Sequence, residues 1–374
     1  MDLLHSVLGS CLPCFPSLSL PSIKFNNASY KIIRLLGEGG FSYVYLVHSS
    51  SQSPYALKQI NCPYGTQDET YKNAIREIKN YHRFANTKTP YIIQSIDESI
   101  VTNPDGVRHV YILLPYFTKS VQDVLTEHVL NGTKMDESEI VKIFIGVCRG
   151  LRIMHNYKQV SRNAARLDDG DEEEALLQDE EDDDQVAASA VGAAAAATST
   201  SAAEHDSTEM EELVPYAHHD IKPANVMISA EGLPVLVDLG SCSRARYNVR
   251  TRQQALALTN FAQEHCTLPY RAPELLDVAT GTQITEATDI WSLGCLLYSC
   301  CFGYSPFEKL EIEQGANLHV AIGSGRYQVP KDGNGYSKEL IELIKKCLKV
   351  DASERPTADE LLDAALDISS KLMV

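Results

Sequence analysis

An α+β chain of two lobes is what the sequence predicts, the first an antiparallel sheet with one helix, the second mostly helical. Three observations carry this. Strand-like runs joined by glycines fill the stretch from Tyr30 to Ile60. Later, Ile140, Ile143, Phe144, Val147, Leu151 and Met154 recur at helical spacing and mark a core helix within Asp136 to Tyr157. The chain has 374 residues, 44% of them hydrophobic, which is enough for two cores without staples.

Residues 1–25 form an apolar tail interrupted by Pro13, Pro16 and Pro21. Its start lacks the basic region of a secretory signal. Cys11 and Cys14, in Ser10-Cys11-Leu12-Pro13-Cys14, are candidates for S-acylation, whereas Asp2 excludes N-myristoylation, which needs glycine there. Without a signal peptide the expected compartment is reducing, and most of the ten cysteines, which lack metal-ligand spacing, are expected to be buried thiols. The best apolar stretch, Leu293 to Phe302, falls short of the roughly 20 residues that cross a bilayer.

The first lobe is expected over 26–117. Runs Tyr30 to Leu36 and Tyr43 to His48 flank Gly37-Glu38-Gly39-Gly40-Phe41-Ser42. Such a hairpin can cover phosphates with its backbone amides, because glycine lets the chain approach closely. The next strand, Pro54 to Ile60, holds a single lysine, Lys58, in an apolar run, and Glu77 in the helical stretch Glu69 to Phe84 is placed to meet it.

The second lobe is expected over 118–157 and 215–368, with 369–374 as a short end. Its centre is His218-His219-Asp220-Ile221-Lys222-Pro223-Ala224-Asn225. Asp220 can accept a hydroxyl proton, Lys222 can neutralise a phosphate oxygen and Asn225 can hold a metal, a working set for phosphoryl transfer. Asp238 follows the apolar run Val235 to Val237 and supplies a second metal-type ligand.

Between the two parts of this lobe, residues 158–214 read as a disordered insertion at a surface turn. Asp168 to Asp184 is almost wholly acidic and Ala187 to Ala203 is nearly all Ala, Ser and Thr. The segment holds 17 carboxylates against three basic residues, a net −14 of the chain's −17. The remaining surface is therefore almost neutral and has no basic stripe, so no nucleic-acid partner is expected.

The ordered parts resemble the eukaryotic protein kinases: the glycine hairpin, Ala56-Leu57-Lys58, the helix with Glu77, His218-His219-Asp220, Asp238-Leu239-Gly240 and Ala272-Pro273-Glu274. The resemblance runs from Tyr30 to Leu366. Asp289-Ile290-Trp291-Ser292-Leu293-Gly294 looks like the start of that family's central buried helix, and Arg355 like the arginine that pairs with Glu274. The segments Gly37 to Val44, Leu113 to Phe117, Val237 to Ser241 and Cys266 to Glu274 are similar to the Numb-associated kinases, closest to their lipid-anchored serine/threonine branch.

The resemblance implies the bilobal protein kinase fold and an ATP-dependent serine/threonine kinase using magnesium, or manganese, that also phosphorylates itself. It implies ATP contacts from Gly37, Glu38, Gly39, Gly40, Phe41, Ser42, Val44, Ala56, Lys58, Leu114, Tyr116 and Phe117. Asp220, Lys222, Lys58 and Glu77 would be catalytic, and Asn225 and Asp238 would hold the metal. Thr267 would steady Asp220 and Lys222. The branch further implies protein substrates with Ser or Thr, a role in vesicle trafficking or in vacuole or Golgi membrane fusion, and a lipid anchor through Cys11 and Cys14 on the cytoplasmic face of such a membrane, beside a soluble pool.

Three positions depart from the family pattern. Ser42 replaces the third glycine. Leu239 replaces the usual Phe and can fill the same apolar slot. His219 stands where many kinases carry an arginine that reads a phosphorylated activation segment, so Thr251 and Thr259 are expected to be dispensable for activity. A catalytically dead binding scaffold is the rival reading, and it would have lost one of Lys58, Glu77, Asp220, Asn225 or Asp238. A lipid kinase of the same fold is disfavoured by Tyr270-Arg271-Ala272-Pro273-Glu274, the family's platform for protein substrates.

Overall fold

The computed structural model describes residues 21–103, 106–161 and 210–373. Cys11 and Cys14, the acidic run and the alanine-rich run lie outside them. The described chain divides into two compact units, one running to Thr70 with Ile96–Tyr116 added, the other comprising Tyr71–Ser95 and everything from Phe117 onwards.

The first unit is one antiparallel sheet of β1 (Ser22–Phe25), β2 (Ala28–Glu38), β3 (Ser42–His48), β4 (Pro54–Cys62), β5 (Asp97–Thr102) and β6 (Arg108–Pro115). Its strand order is β1-β2-β3-β4-β6-β5. Strand alternation sorts the side chains onto two faces. Tyr30, Val47, Leu57 and Leu113 cluster on one, with Tyr45, Tyr55 and Tyr111 packed against them. Val44 pairs with Lys58, and Ala56 pairs with Leu114, in the opposite phase. The four expected nucleotide-contact residues of these strands therefore share the other face.

The second unit begins with α1 (Glu69–Ala85), most of which groups here because the buried Asn80 amide donates to the carbonyls of Leu239 and Cys242, both at 2.8 Å. Short strand β7 (Lys119–Ser120) precedes α2 (Val121–Asn131) and α3 (Glu137–His155). All six apolar positions expected to face the core from α3 are buried. On the same helix, Gly146 meets the Pro234 ring and Gly150 approaches Leu236, contacts a Cβ would obstruct.

The expected insertion starts and ends as paired strands, β8 (Lys158–Ser161) and β9 (Met210–Leu213), antiparallel with Ser161 opposite Met210. One exposed ion pair links the two strands, Lys158 Nζ lying 3.0 Å from Glu211 Oε2. Below the ladder the Val214 amide donates to the Tyr157 carbonyl at 2.9 Å, and Tyr157 packs edge-on against Phe84 and Tyr216.

Beyond it come β10 (Tyr216–Ala217), β11 (Val226–Ile228), β12 (Pro234–Leu236), β13 (Ser243–Arg244), β14 (Tyr247–Asn248), α4 (Arg252–His265), β15 (Gln283–Ile284) and α5 (Ala287–Phe302). Every residue of α5 from Thr288 to Cys301 is buried, as suits a helix that is apolar all round. Around it lie α6 (Pro306–Gln314), α7 (Leu318–Ser324), α8 (Lys338–Cys347) and α9 (Ala358–Leu372). No described helix is long and apolar enough to cross a membrane. Eight described cysteines are free and buried, and burial pushes thiols such as Cys266 and Cys300 up to about 12.

Candidate active site

The loop from His218 to Asn225 is shaped by a buried carboxylate. Asp289, on α5, accepts the His218 amide through Oδ2 and the His219 amide through Oδ1, each at 2.8 Å, and His155 Nε2 lies 3.0 Å from Oδ2. Burial alone would raise this carboxyl's pKa, but the His155 bond and the neighbouring histidines more than offset it and hold it below its ordinary value. These bonds keep His219 at φ 65°, a left-handed conformation that a side chain rarely adopts unless its surroundings dictate it. His218 is fixed as well: its Nε2 donates to the Val237 carbonyl at 3.0 Å and its Nδ1 accepts the Asp220 amide at 3.3 Å. Ser241 Oγ donates to the His218 carbonyl at 2.6 Å.

On this frame the Asp220 carboxylate collects its partners. Lys222 Nζ reaches Oδ2 at 2.7 Å and Asn225 Nδ2 reaches the same oxygen at 2.9 Å, while the Thr267 amide donates to Oδ1 at 3.0 Å. Lys222 Nζ also donates to Thr267 Oγ1 at 2.8 Å, so Thr267 holds both members as expected. Charge-assisted bonds of this kind fix a carboxylate's direction. Asn225 spends its amide nitrogen on Asp220, with a second bond to the Asp220 carbonyl at 2.9 Å, so its oxygen is the atom it can offer a cation.

The β11–β12 hairpin sets Asn225 beside Asp238, since Val226 pairs with Leu236 and the Val237 amide donates to the Asn225 carbonyl at 3.0 Å. Asp238 has φ 62° and an exposed side chain. Leu239 is fully buried and fills the apolar slot. A Cβ added at Gly240 would stand 3.3 Å from Glu77 Oε2 and 3.5 Å from Asp238 Oδ1, so the bare backbone there admits both carboxylates. Glu77 is itself buried, with its Oε1 accepting Tyr81 Oη at 2.9 Å. Among the described residues no three His, Cys, Asp or Glu side chains form a metal cage. Asn225 and Asp238 carry side-chain oxygens of the kind that could serve a hard divalent ion keeping water ligands of its own.

In the first unit the Gly37–Ser42 turn is closed by the Gly39 amide donating to the Ser42 carbonyl at 2.7 Å. A Cβ added at Gly37 or Gly40 would meet nothing within 4 Å, so the fold itself makes no demand for glycine at these two positions. That open space leaves room for a phosphate chain to approach the backbone. Phe41 at the tip is 54% exposed, Lys58 is half-buried on the face shared with Val44, Ala56 and Leu114, and Tyr116 closes the unit. Phe117 begins the second.

Arg355 grips Glu274 with both ends of its guanidinium, at 2.7 and 2.8 Å, and also donates to the Ala287 carbonyl. His219 differs from a cationic phosphate reader. It is 5% exposed, its Nε2 lies 3.0 Å from Ser243 Oγ, and its ring packs edge-on to Phe261 of α4, which in turn packs at a tilt against His265. Burial lowers its pKa, with Asp289 opposing, which favours the neutral ring where an arginine would be charged. His155 and Asn80 were not singled out from the sequence; each acts from an element distant in the chain, and no local spacing marks them.

This geometry, an Asp-Lys-Asn-Thr cluster beside a second metal-type carboxylate on a helical unit, with a glycine-turned sheet before it, defines a protein kinase. The chain belongs to the protein kinase domain family, whose model matches residues 30–163 and 214–366 and so omits most of the acidic insertion. It is similar to Serine/threonine-protein kinase ENV7 of Saccharomyces cerevisiae, 38% identical over 96% of this chain and 97% of that protein. Serine/threonine-protein kinase ppk13 of Schizosaccharomyces pombe is 35% identical over 90% of each chain. Serine/threonine-protein kinase 16 of Homo sapiens is 31% identical over 91% of this chain and 90% of its own.

Proposed function

We propose that this kinase transfers the terminal phosphoryl group of ATP, with magnesium, to Ser or Thr hydroxyls of proteins and of itself. Asp220 is the base: its carboxylate is aimed by Lys222, Asn225 and Thr267 and takes the hydroxyl proton as the oxygen attacks phosphorus. Lys222, already beside Asp220, neutralises charge on the transferring group. Asn225 and Asp238 would hold the magnesium, which when bound would supply neutralisation of phosphate charge. Gly37 to Ser42, Val44, Ala56, Lys58, Leu114, Tyr116 and Phe117 take the nucleotide. The observation that carries the reading is the four-residue Asp220 cluster; a binding scaffold would have no use for a carboxylate so fully directed.

Incorporation of labelled phosphate into the purified chain and into a generic protein tests this. Asp220→Asn keeps the shape of the cluster, and loss of the base lowers turnover by about 10²- to 10⁴-fold while ATP still binds. Near-normal turnover in that variant removes Asp220 from the role.

The likeness to the lipid-anchored branch of the Numb-associated kinases supports a second part of the proposal. The kinase works in trafficking or fusion on the cytoplasmic face of a vacuole or Golgi membrane, attached through acyl chains on Cys11 and Cys14.

A further inference from the structure

We infer that the protein substrate carries a basic residue, Lys or Arg, close to the phosphorylated hydroxyl, and that Glu308 receives it. The inference rests on Asp220 being the base. A cavity of about 440 Å3 opens directly beside the catalytic cluster, lined at one end by Lys222 and Thr267, the two residues that hold Asp220. The cavity shares Lys222 and Thr267 with the Asp220 cluster, so a polypeptide that presents its hydroxyl to Asp220 can lay a flanking side chain over it.

The lining fixes the chemistry of that side chain. Leu125, Tyr304 and Ile312 give apolar walls, and Ile312 is 76% exposed, so it serves no core. Two charged groups line the cavity, Lys222 and Glu308. The lysine's charge is already matched by Asp220 at 2.7 Å, which leaves the net character of the cavity negative. Glu308 sits at the start of α6, where Oε2 accepts the Ser305 amide at 3.1 Å and completes a capping box. That bond orients the carboxylate and uses one of its two oxygens. The adjacent cation, Lys309, lies over the Tyr304 ring and within 3.9 Å of Glu313. An aliphatic stem ending in a cation matches apolar walls around one carboxylate; an acidic side chain would be repelled.

The test compares kcat/KM of the full-length kinase on peptides scanned with Arg, Ala and Asp at each position flanking one acceptor serine. At one position the wild type prefers Arg over Ala by about fivefold, the size expected of one partly screened charge pair. Glu308→Gln keeps the cap, since glutamine also completes a capping box, and brings that ratio towards one. Glu308→Arg reverses it in favour of Asp. A wild type with no basic preference at any position, or a preference that survives both substitutions, overturns the inference while leaving Asp220 as base. If Asp220→Asn turns over the Arg peptide as fast as wild type, both readings fall.

Discussion

His219 illustrates how one side chain can exchange a charge for packing. Its φ of 65° is imposed by the Asp289 carboxylate, and its ring closes on Ser243 and Phe261. The groups that face it are Asp289, His218, Arg244 and His265. Burial lowers the pKa of His219 and of His265 below the ordinary 6.5. A histidine lowered on folding binds more protons when unfolded, so its stability contribution is complete above pH 6.5 and is lost as pH falls through the window below it. Melting temperature should therefore drop between pH 7.5 and 5.5, and His219→Asn, which tolerates the left-handed backbone, should flatten that slope. Equal slopes would place the titration elsewhere. At this scale the sequence displays what is contiguous: Asp220, Lys222 and Asn225 lie within six residues and announce their chemistry. His155, Asn80 and Glu308 reach the same region from elements between 65 and 140 residues away in the chain, and only the fold assembles them.

Among the elements, α4 is one that sequence spacing did not reveal. Its polar stretch Thr251 to His265 has a weak apolar stripe, and what fixes it is the cap at its start, where Thr251 Oγ1 accepts the Gln254 amide at 3.1 Å and Gln254 bonds back. Thr259 is likewise structural, donating to the Ala255 carbonyl and accepting the Val278 amide. Replacing Thr251 and Thr259 with Ala should leave kinase activity in place, because burial favours a neutral His219 ring over one charged to await a phosphate. The Thr251 change alone should cost about 1 kcal/mol of stability through the lost cap. Abolished activity together with an unchanged melting temperature would instead assign these hydroxyls a phosphorylated role. The strands and long helices, by contrast, were readable because burial imposes period two or 3.6 on their apolar residues, as in α3 and β4.

For the whole molecule, charge and chemistry are separated along the chain, with −14 carried by 158–214 and the catalytic residues elsewhere. Deleting Asp168 to Ala203 should leave melting temperature and kinase rate near wild type, because closing a shorter loop changes the free energy by only about 0.6 kcal/mol per halving. A large fall in either would show the acidic run to be part of the working fold. The same separation applies to the tail. One acyl chain gives only reversible membrane binding, so Cys11→Ser with Cys14→Ser should move the kinase from the membrane fraction to the cytosol, each single change giving partial release, with phosphoryl transfer intact. Retention of the double variant on membranes would transfer the anchor to a partner or to the apolar tail itself.

The β8–β9 ladder makes the insertion a port. Ser161 and Met210 are register partners, so the two ends of the 48 residues between them are held about 5 Å apart, the spacing of paired strands. A foreign domain whose own termini lie side by side could be spliced in at this point, as insertions at closely spaced chain ends are tolerated.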